Sequence, residues 1–434
     1  MNSAAIGTAG ILMALLLMGL RVPVAVAMGM VSFFGLIVMT TPRAAWGMIS
    51  AVPFDFIGNW SFTAVPMFLL MGYLCTTSGM TRTLFRCMRI LLARLPGGLA
   101  VTGIGACALF AAASGSSVAT ASALARIAVP EMLRHRYHPG LATGVIAASG
   151  TLGSLIPPSV LMILYAVYAE VSVGKQFMAG FIPGVVSALI YMGMIVIRVT
   201  IDPRLAPPVE ERVSWREVWA SIRDIWPLPT LIVFVLGGIF FGWFSPTEAG
   251  AVGAFLALAM ALLRRSLDRR AFLRALGQTA SSTTSIFIIL VGTMLITKFL
   301  ALSGLPTRLS AILLEVSTSP LWIIFAVSVL YVILGMFVET MGLLLLTLPL
   351  ILPVANAAGI DLIWFGIILI KLLEISLITP PVGLNVYVIK GAVGPLVSLD
   401  EIFRGVGWFL AMDVLTLGIL VAFPGLSLFL PGLM

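Results

Sequence analysis

The sequence predicts an all-α, polytopic membrane protein built of two inverted repeats. Three observations predict it. Sixty per cent of the 434 residues are apolar and 10% are charged, whereas a soluble domain carries about 25% charged residues. Apolar runs long enough to cross a bilayer, about 20 residues each, recur along the chain. A diproline embedded in an apolar run occurs twice, at Pro157-Pro158 and again 223 residues later at Pro380-Pro381.

Apolar runs bounded by charge or by Pro/Gly clusters place spans at 4–20, 24–40, 61–79, 140–167, 177–198, 227–243, 247–263, 277–298, 362–389 and 405–425. No basic residue precedes the run Ile11 to Leu20, so the first segment reads as a span and not as a secretory signal. The stretches 97–133 and 319–357 are too long for one crossing and carry polar or small interruptions, Ser114-Gly115-Ser116-Ser117 and Val338-Glu339-Thr340-Met341-Gly342. Each reads as a re-entrant hairpin, because irregular backbone at membrane depth is tolerated only against protein or a wet cavity.

Charge supports the hairpins. With the N-terminus outside and both hairpins returning to their starting side, 20 of the 25 Lys and Arg residues fall inside, as cytoplasmic loops require. One crossing at 97–133 would put its two flanking basic clusters on opposite sides. The net charge of +8 therefore reports topology and not nucleic-acid binding.

Each half then reads as three spans, a hairpin and two spans, the first of them broken. The first repeat covers 1–199, with hairpin 97–133 and broken helix 140–167. A polar cytoplasmic linker covers 200–226, with an interfacial helix near 214–224. The second repeat covers 227–434, with hairpin 319–357 and broken helix 362–389. Five crossings per half invert the second half relative to the first, and inverted repeats with broken helices are a mark of secondary transporters.

The diprolines carry the chemistry. Proline removes a backbone donor and clashes one turn back, so two in succession unwind the helix and free carbonyls for a small cation. Half-helix N-termini favour an anion. A lone Pro-Pro would be a kink; two, at 41 residues after Ser116 and 40 after Thr340, point to a site. The hydroxyls of Ser114, Ser116 and Ser117 suit ligands, with close helix packing as the alternative. Intramembrane ionisable groups are functional candidates: Glu339 beside Thr340 at the second tip, and Lys371 with Glu374. The last two are three apart, near one helix face, and either pair internally or meet an anionic substrate. Glu248 reads as a helix N-terminal acid. Cys75, Cys87 and Cys107 lack zinc-like spacing and read as packing residues.

Other classes are disfavoured. The sequence contains neither a G-x-x-x-x-G-K-[ST] loop nor H-E-x-x-H, and its histidines are His135 and His138, beside a cytoplasmic turn. An intramembrane serine hydrolase using Ser116 or Ser117 would need a His or Lys partner that no obvious position supplies. The chain reads as a transporter and not an enzyme.

The segments Ala64-Val65-Pro66-Met67-Phe68, Ser114 to Ala119, Gly153 to Ser159, Ser245-Pro246-Thr247-Glu248-Ala249 and Glu374 to Asn385, in this order, make the chain resemble the large membrane subunit of tripartite ATP-independent periplasmic (TRAP) transporters, of the dicarboxylate-permease type. The similarity covers nearly the full length. It implies a multi-pass bacterial inner-membrane protein with a periplasmic N-terminus. It implies an elevator mechanism, in which a transport domain of hairpins and broken helices slides past a fixed scaffold. It implies sodium-coupled uptake of a small organic acid, with sodium ions and no other cofactor. Two partners are implied, a small four-helix membrane subunit and a periplasmic substrate-binding protein. A self-sufficient sodium- or proton-coupled anion transporter is the alternative. The family's sodium sites map onto Ser114, Ser117, Gly153, Ile156 and Pro158, and onto Gly335, Ser376, Thr379 and Val382. Ser116, Glu339, Thr340, Lys371, Glu374 and Asn385 are left for substrate or coupling. The sequence departs from the family at Arg126, where a small residue is usual, at Lys371, where Asn is common, and at Ser376, where Gly is common. A lysine near a sodium site repels the ion unless Glu374 neutralises it.

Overall fold

The computed structural model describes residues 3–92, 94–208, 214–316 and 319–434; part of the expected linker, 209–213, lies outside them. The described chain is helical with short connections. The first half runs α1 (Ser3–Gly19), α2 (Val24–Met39), α3 (Pro42–Ile57), α4 (Ala64–Thr77) and α5 (Met80–Leu92), then α6 (Gly98–Ser114) and α7 (Ser117–Arg134), then α8 (Pro139–Leu155), α9 (Val160–Tyr168) and α10 (Val173–Ile201). The second half runs α11 (Trp215–Ile225), α12 (Pro227–Phe240), α13 (Pro246–Leu263), α14 (Arg269–Ser303) and α15 (Leu305–Val316), then α16 (Pro320–Gly335) and α17 (Thr340–Ala357), then α18 (Leu362–Ile378), α19 (Leu384–Val393), α20 (Leu399–Ala422) and α21 (Gly425–Leu428).

The expected hairpins are α6–α7 and α16–α17, and the expected broken helices are α8–α9 and α18–α19. The pairs α2 and α13, α6 and α16, α7 and α17, α8 and α18, and α9 and α19 each begin 222 to 224 residues apart. Among the described residues seven helices are long and apolar enough to cross a membrane, and the α11–α12 pair, bent by 47°, is an eighth candidate. The bend fits an interfacial helix feeding a span. A capping box from Ser214 and Glu217 starts α11, and exposed Trp215, Trp219 and Trp226 suit the headgroup layer.

Three helices were not foreseen: α3, α5 and α15. In α5, Arg82, Arg86 and Arg89 interrupt the apolar run, so a scan for continuous hydropathy passes over it. Its hydrophobic face is nevertheless used: Leu84, Phe85 and Cys87 are buried, and Arg89 pairs with Glu131 of α7 at 2.7 Å. The span expected at 277–298 is the centre of the 35-residue α14, about 50 Å long at 1.5 Å per residue. Asp268 caps it by accepting from the Ala271 amide at 2.6 Å, which lets the helix start in the basic loop.

Two packing groups organise the chain. In one, α14 lies along α2 and α4, and α13 lies against α4. In the other, α8 is central, in contact with α6, α7, α18 and α20, while α10 joins α18 and α20. Residues of α8 are buried almost throughout, so its row of Gly, Ala, Ser and Thr faces helices on every side, as close packing in a membrane favours. The hairpins reach across: α7 contacts α19, and α17 contacts α9. Large apolar side chains such as Leu12, Phe34, Leu189, Phe255 and Phe325 remain exposed on the outside, as a lipid-facing belt requires.

Candidate functional site

The first break is a junction between two irregular backbones. Pro157 and Pro158 have no N–H to return to the carbonyls of Gly153 and Ser154, so α8 stops at Leu155 and α9 starts at Val160. The Pro157–Pro158 peptide is cis. Opposite lies the tip of α6–α7, where Gly115 adopts φ +62°, a left-handed conformation that glycine enters freely. A Cβ on Gly115 would sit 2.7 Å from the Pro158 carbonyl oxygen, and one on Gly153 would sit 2.8 Å from the Ser116 carbonyl oxygen. The Val160 amide donates to the Gly115 carbonyl at 3.3 Å.

Hydroxyls line this junction. Ser117 Oγ donates to the Thr151 carbonyl at 3.1 Å and is hydrogen-bonded to Ser154 Oγ. Ser114 Oγ is 2.6 Å from Thr120 Oγ1. Ser116 caps α7, accepting from the Ala119 amide at 3.4 Å, so its hydroxyl serves helix geometry. Ile156 ends α8 in extended conformation. Ser114, Ser117, Gly153, Ile156 and Pro158 are thus brought to one tip-and-break junction, whose donors are all oxygens.

The second junction repeats the plan with different side chains. The Pro380–Pro381 peptide is also cis, and Gly383 has φ +55°. Gly335 meets Ser376: a Cβ at 335 would lie 2.3 Å from the Ser376 Cβ. The missing side chain at 335 makes room for the serine. Ser376 Oγ donates to the Leu373 carbonyl at 2.7 Å, and Thr379 Oγ1 to the Ile375 carbonyl at 2.6 Å. Both hydroxyls turn back onto α18, so this break offers backbone carbonyls to a ligand. Val382, also in the break, is exposed. Glu339 caps α17, accepting from the Met341 and Gly342 amides at 3.1 and 3.0 Å and from Thr340 Oγ1 at 3.2 Å. A carboxylate there satisfies orphan N–H groups and the helix dipole. Asn385 Nδ2 donates to the Ala147 carbonyl at 3.1 Å, tying α19 to α8.

Between the tips lies a cavity of about 550 Å³, lined by Ser116 and Val160 of the first hairpin and broken helix, Glu339 and Met341 of the second hairpin, Val24, Tyr73, and Ser281, Ser282 and Ser285 of α14. It joins Ser116 to Glu339; Thr340 is not in its wall. Tyr73 hydrogen-bonds Ser282 at 2.7 Å and also lines a neighbouring cavity of about 560 Å³, with Thr76, Thr77, Arg82, Ser122, Arg126 and Gln278. Neither arginine takes part in an ion pair among the described residues.

Lys371 and Glu374 lie elsewhere, inside the α8, α10, α18 and α20 group. They are paired at 3.0 Å, and Asp413 of α20 joins them at 2.6 Å from the ammonium. Asp413 was missed by sequence reasoning. A lone acid within the apolar span 405–425 was the available signal. The pairing with two carboxylates neutralises the lysine that otherwise threatened the second junction.

The family model for the tripartite ATP-independent periplasmic transporter, DctM component, matches residues 11–426. The chain belongs to this TRAP transporter family. It is 37% identical over 381 residues to the C4-dicarboxylate TRAP transporter large permease protein DctM of Pseudomonas aeruginosa, covering 87% of this chain and 88% of that one. It is 33% identical to the sialic acid TRAP transporter large permease protein SiaM of Vibrio cholerae, covering 87% of each. The fold is also that of the solved YdaH transporter of Alcanivorax borkumensis, with a TM-score of 0.57 at 14% identity and coverage of 89% of both chains. As a TRAP large permease, the chain is a multi-pass inner-membrane transport protein, and its family works with a small membrane subunit and a substrate-binding protein.

Proposed function

We propose that this chain is the translocating large subunit of a sodium-coupled importer of small organic acids, fed by a periplasmic substrate-binding protein. The observation that carries the reading is the pair of tip-and-break junctions, whose two hairpin tips face one cavity. Both junctions offer oxygen alone, from hydroxyls and freed carbonyls, which suits a hard monovalent cation. The Ser114, Ser117, Gly153, Ile156 and Pro158 set is the first sodium position. The Gly335, Ser376, Thr379 and Val382 set is the second. Sodium bound at either would add positive charge beside the cavity and favour an anion in it.

The two halves, 1–199 and 227–434, act as inverted repeats joined by the linker 200–226, and the N-terminus is periplasmic. The α8-centred group, with both hairpins, is the moving domain; the group of α2, α4, α13 and α14 is the scaffold. The cavity lies where they meet, so displacement of one group past the other would carry its occupant across. The relatives' printed substrates, C4-dicarboxylates and sialic acid, support an organic acid. A separate small four-helix membrane subunit and the binding protein complete the assembly.

The test is uptake into proteoliposomes holding this chain and its small subunit, with binding protein loaded with candidate acids. Uptake that needs both the binding protein and an inward sodium gradient is expected. Uptake without the binding protein would make the chain a self-sufficient transporter and overturn the proposal.

A further inference from the structure

The cavity of about 560 Å³ beside the tips is built where four helices meet. Gln278 of α14 lines it, about one turn from the Ser282 that lines the cavity between the tips, and Tyr73 of α4 lines both. The remaining wall comes from the start of α5, with Thr81 and Arg82, and from α7, with Ser122 and Arg126. Both arginines are exposed, so the space is open to solutes. Neither guanidinium takes part in an ion pair or a hydrogen bond among the described residues. None of the described residues lining the cavity is acidic.

The same two helices show how an arginine is held when an acid is at hand. Two turns further along α5, Arg89 meets Glu131 of α7 at 2.7 Å. Glu131 is engaged there, with Arg134 and His135 each 3.6 Å away, and it does not line this cavity. At the cavity both helices present arginines instead. Two like charges sharing one space repel; an anion between them removes the repulsion and accepts charge-assisted hydrogen bonds from both. Two further features favour an anion. Gly79, at φ +78°, leads into α5, whose first turn, the positive end of its dipole, forms part of the wall. Thr81 is 3% exposed, and its Oγ1 has no hydrogen-bond partner. A buried hydroxyl is normally satisfied, and an anion drawn in by the arginines would supply the missing acceptor.

We propose that this cavity is a binding site for a small oxyanion carrying two negative charges, held between Arg82 and Arg126 with the Thr81 hydroxyl as a further donor. A single charge leaves one guanidinium uncompensated; two match the pair. The fork of an arginine takes two oxygens of a carboxylate, sulfate or phosphate at once, so free dianions and the phosphates of a lipid headgroup share this chemistry. On the topology proposed above, the arginines of α5 and α7 face the cytoplasm. Because Tyr73 lines both cavities, an acid leaving the space between the tips on that side passes the two arginines. This last consequence rests on the transport reading; the anion site itself does not.

The experiment is calorimetric titration of potassium sulfate, succinate and acetate into the full chain with its small subunit, in discs of zwitterionic lipid, without sodium and without binding protein. Uptake plays no part in the readout, so failure here and failure of the transport proposal are separate results. Saturable binding of sulfate and succinate is expected, with acetate weaker by roughly tenfold or more and with sulfate affinity falling as chloride is raised. Arg82→Ala and Arg126→Ala should each weaken sulfate roughly tenfold or more, and Arg126→Lys should lose less. Thr81→Val should also weaken sulfate, without lowering the Tm of the ligand-free protein, because it removes a hydroxyl that has no partner there. No saturable binding to the wild type, equal affinity for sulfate and acetate, or arginine variants that bind as the wild type does would each overturn the proposal. The wild-type comparison of sulfate with acetate stands even if a variant fails to fold. Discs containing cardiolipin separate the sources. Sulfate binding that persists in them assigns the site to a free dianion; displacement of sulfate by cardiolipin that the wild type retains and Arg126→Ala does not assigns it to a headgroup. Either result supports the two-arginine site.

Discussion

Gly335 and Ser376 have sizes that must be read together. In the first junction the glycine is on the broken helix, at Gly153 against Ser116; in the second it is on the hairpin, at Gly335 against Ser376. Close approach is preserved while the small residue changes sides. Gly335→Ala should destabilise the protein by about 1–3 kcal/mol through overpacking, read as a lower Tm in lipid-detergent, and Ser376→Gly should restore it. An unchanged Tm for Gly335→Ala would mean that α16 and α18 do not meet there. Arg126 is a second residue-scale case. It lines the cavity beside Tyr73 and takes part in no ion pair among the described residues, so on the proposed function a substrate carboxylate in that cavity would find a partner there. A hydrogen bond to a charged group contributes about 1.5–3 kcal/mol, so Arg126→Ala should raise KM roughly tenfold or more with kcat little changed. Unaltered uptake kinetics would take this cavity off the substrate's path.

The broken helices belong to the scale of elements. Their function depends on where regular hydrogen bonding stops, and the proline pairs set that limit. Thr379 still donates its amide to the Ser376 carbonyl at 3.3 Å. Thr379→Pro removes this last bond, frees one more carbonyl and shifts the break, so uptake should fall to background while the protein still reaches the membrane; normal uptake would mean that the segment is not a constrained site. Hairpins, broken helices and the repeat were legible in the sequence because each leaves a mark in composition: a diproline, a Ser-Gly-Ser-Ser tip, a run too long for one crossing. The helix α5 was not, because an amphipathic helix carrying Arg82, Arg86 and Arg89 resembles a loop to any reading that seeks continuous apolar runs, and α3 and α15, at 16 and 12 residues, are shorter than a crossing needs. Asp413 was missed for a related reason. Its partners lie 42 and 39 positions away in the chain, and a pair on neighbouring helices has no periodicity to reveal it. Glu339, by contrast, was singled out as an intramembrane acid and is found capping α17, which explains its presence at the tip without requiring a ligand.

At the scale of the whole molecule, the arrangement is two near-copies of one device placed around a shared cavity. The cavity wall takes Ser116 from one hairpin, Glu339 from the other, and serines of α14 from the opposite packing group. An occupant of that space touches both hairpin tips and both groups together. Cations held at the two junctions would therefore favour an anion between them, and the anion would favour the cations in return, since coupling between sites is reciprocal. Among the described residues seven or eight apolar helices and the lipid-facing belt hold this device within the membrane, and the membership in the TRAP family supplies the setting in which it transports. The most direct test of the account is the rate of binding-protein-dependent uptake as a function of external sodium, for wild type and Ser117→Ala side by side. The account predicts a sigmoidal rise in the wild type and a curve displaced to higher sodium in the variant, at equal expression. Superimposable curves, or a wild-type rate indifferent to sodium, would contradict it.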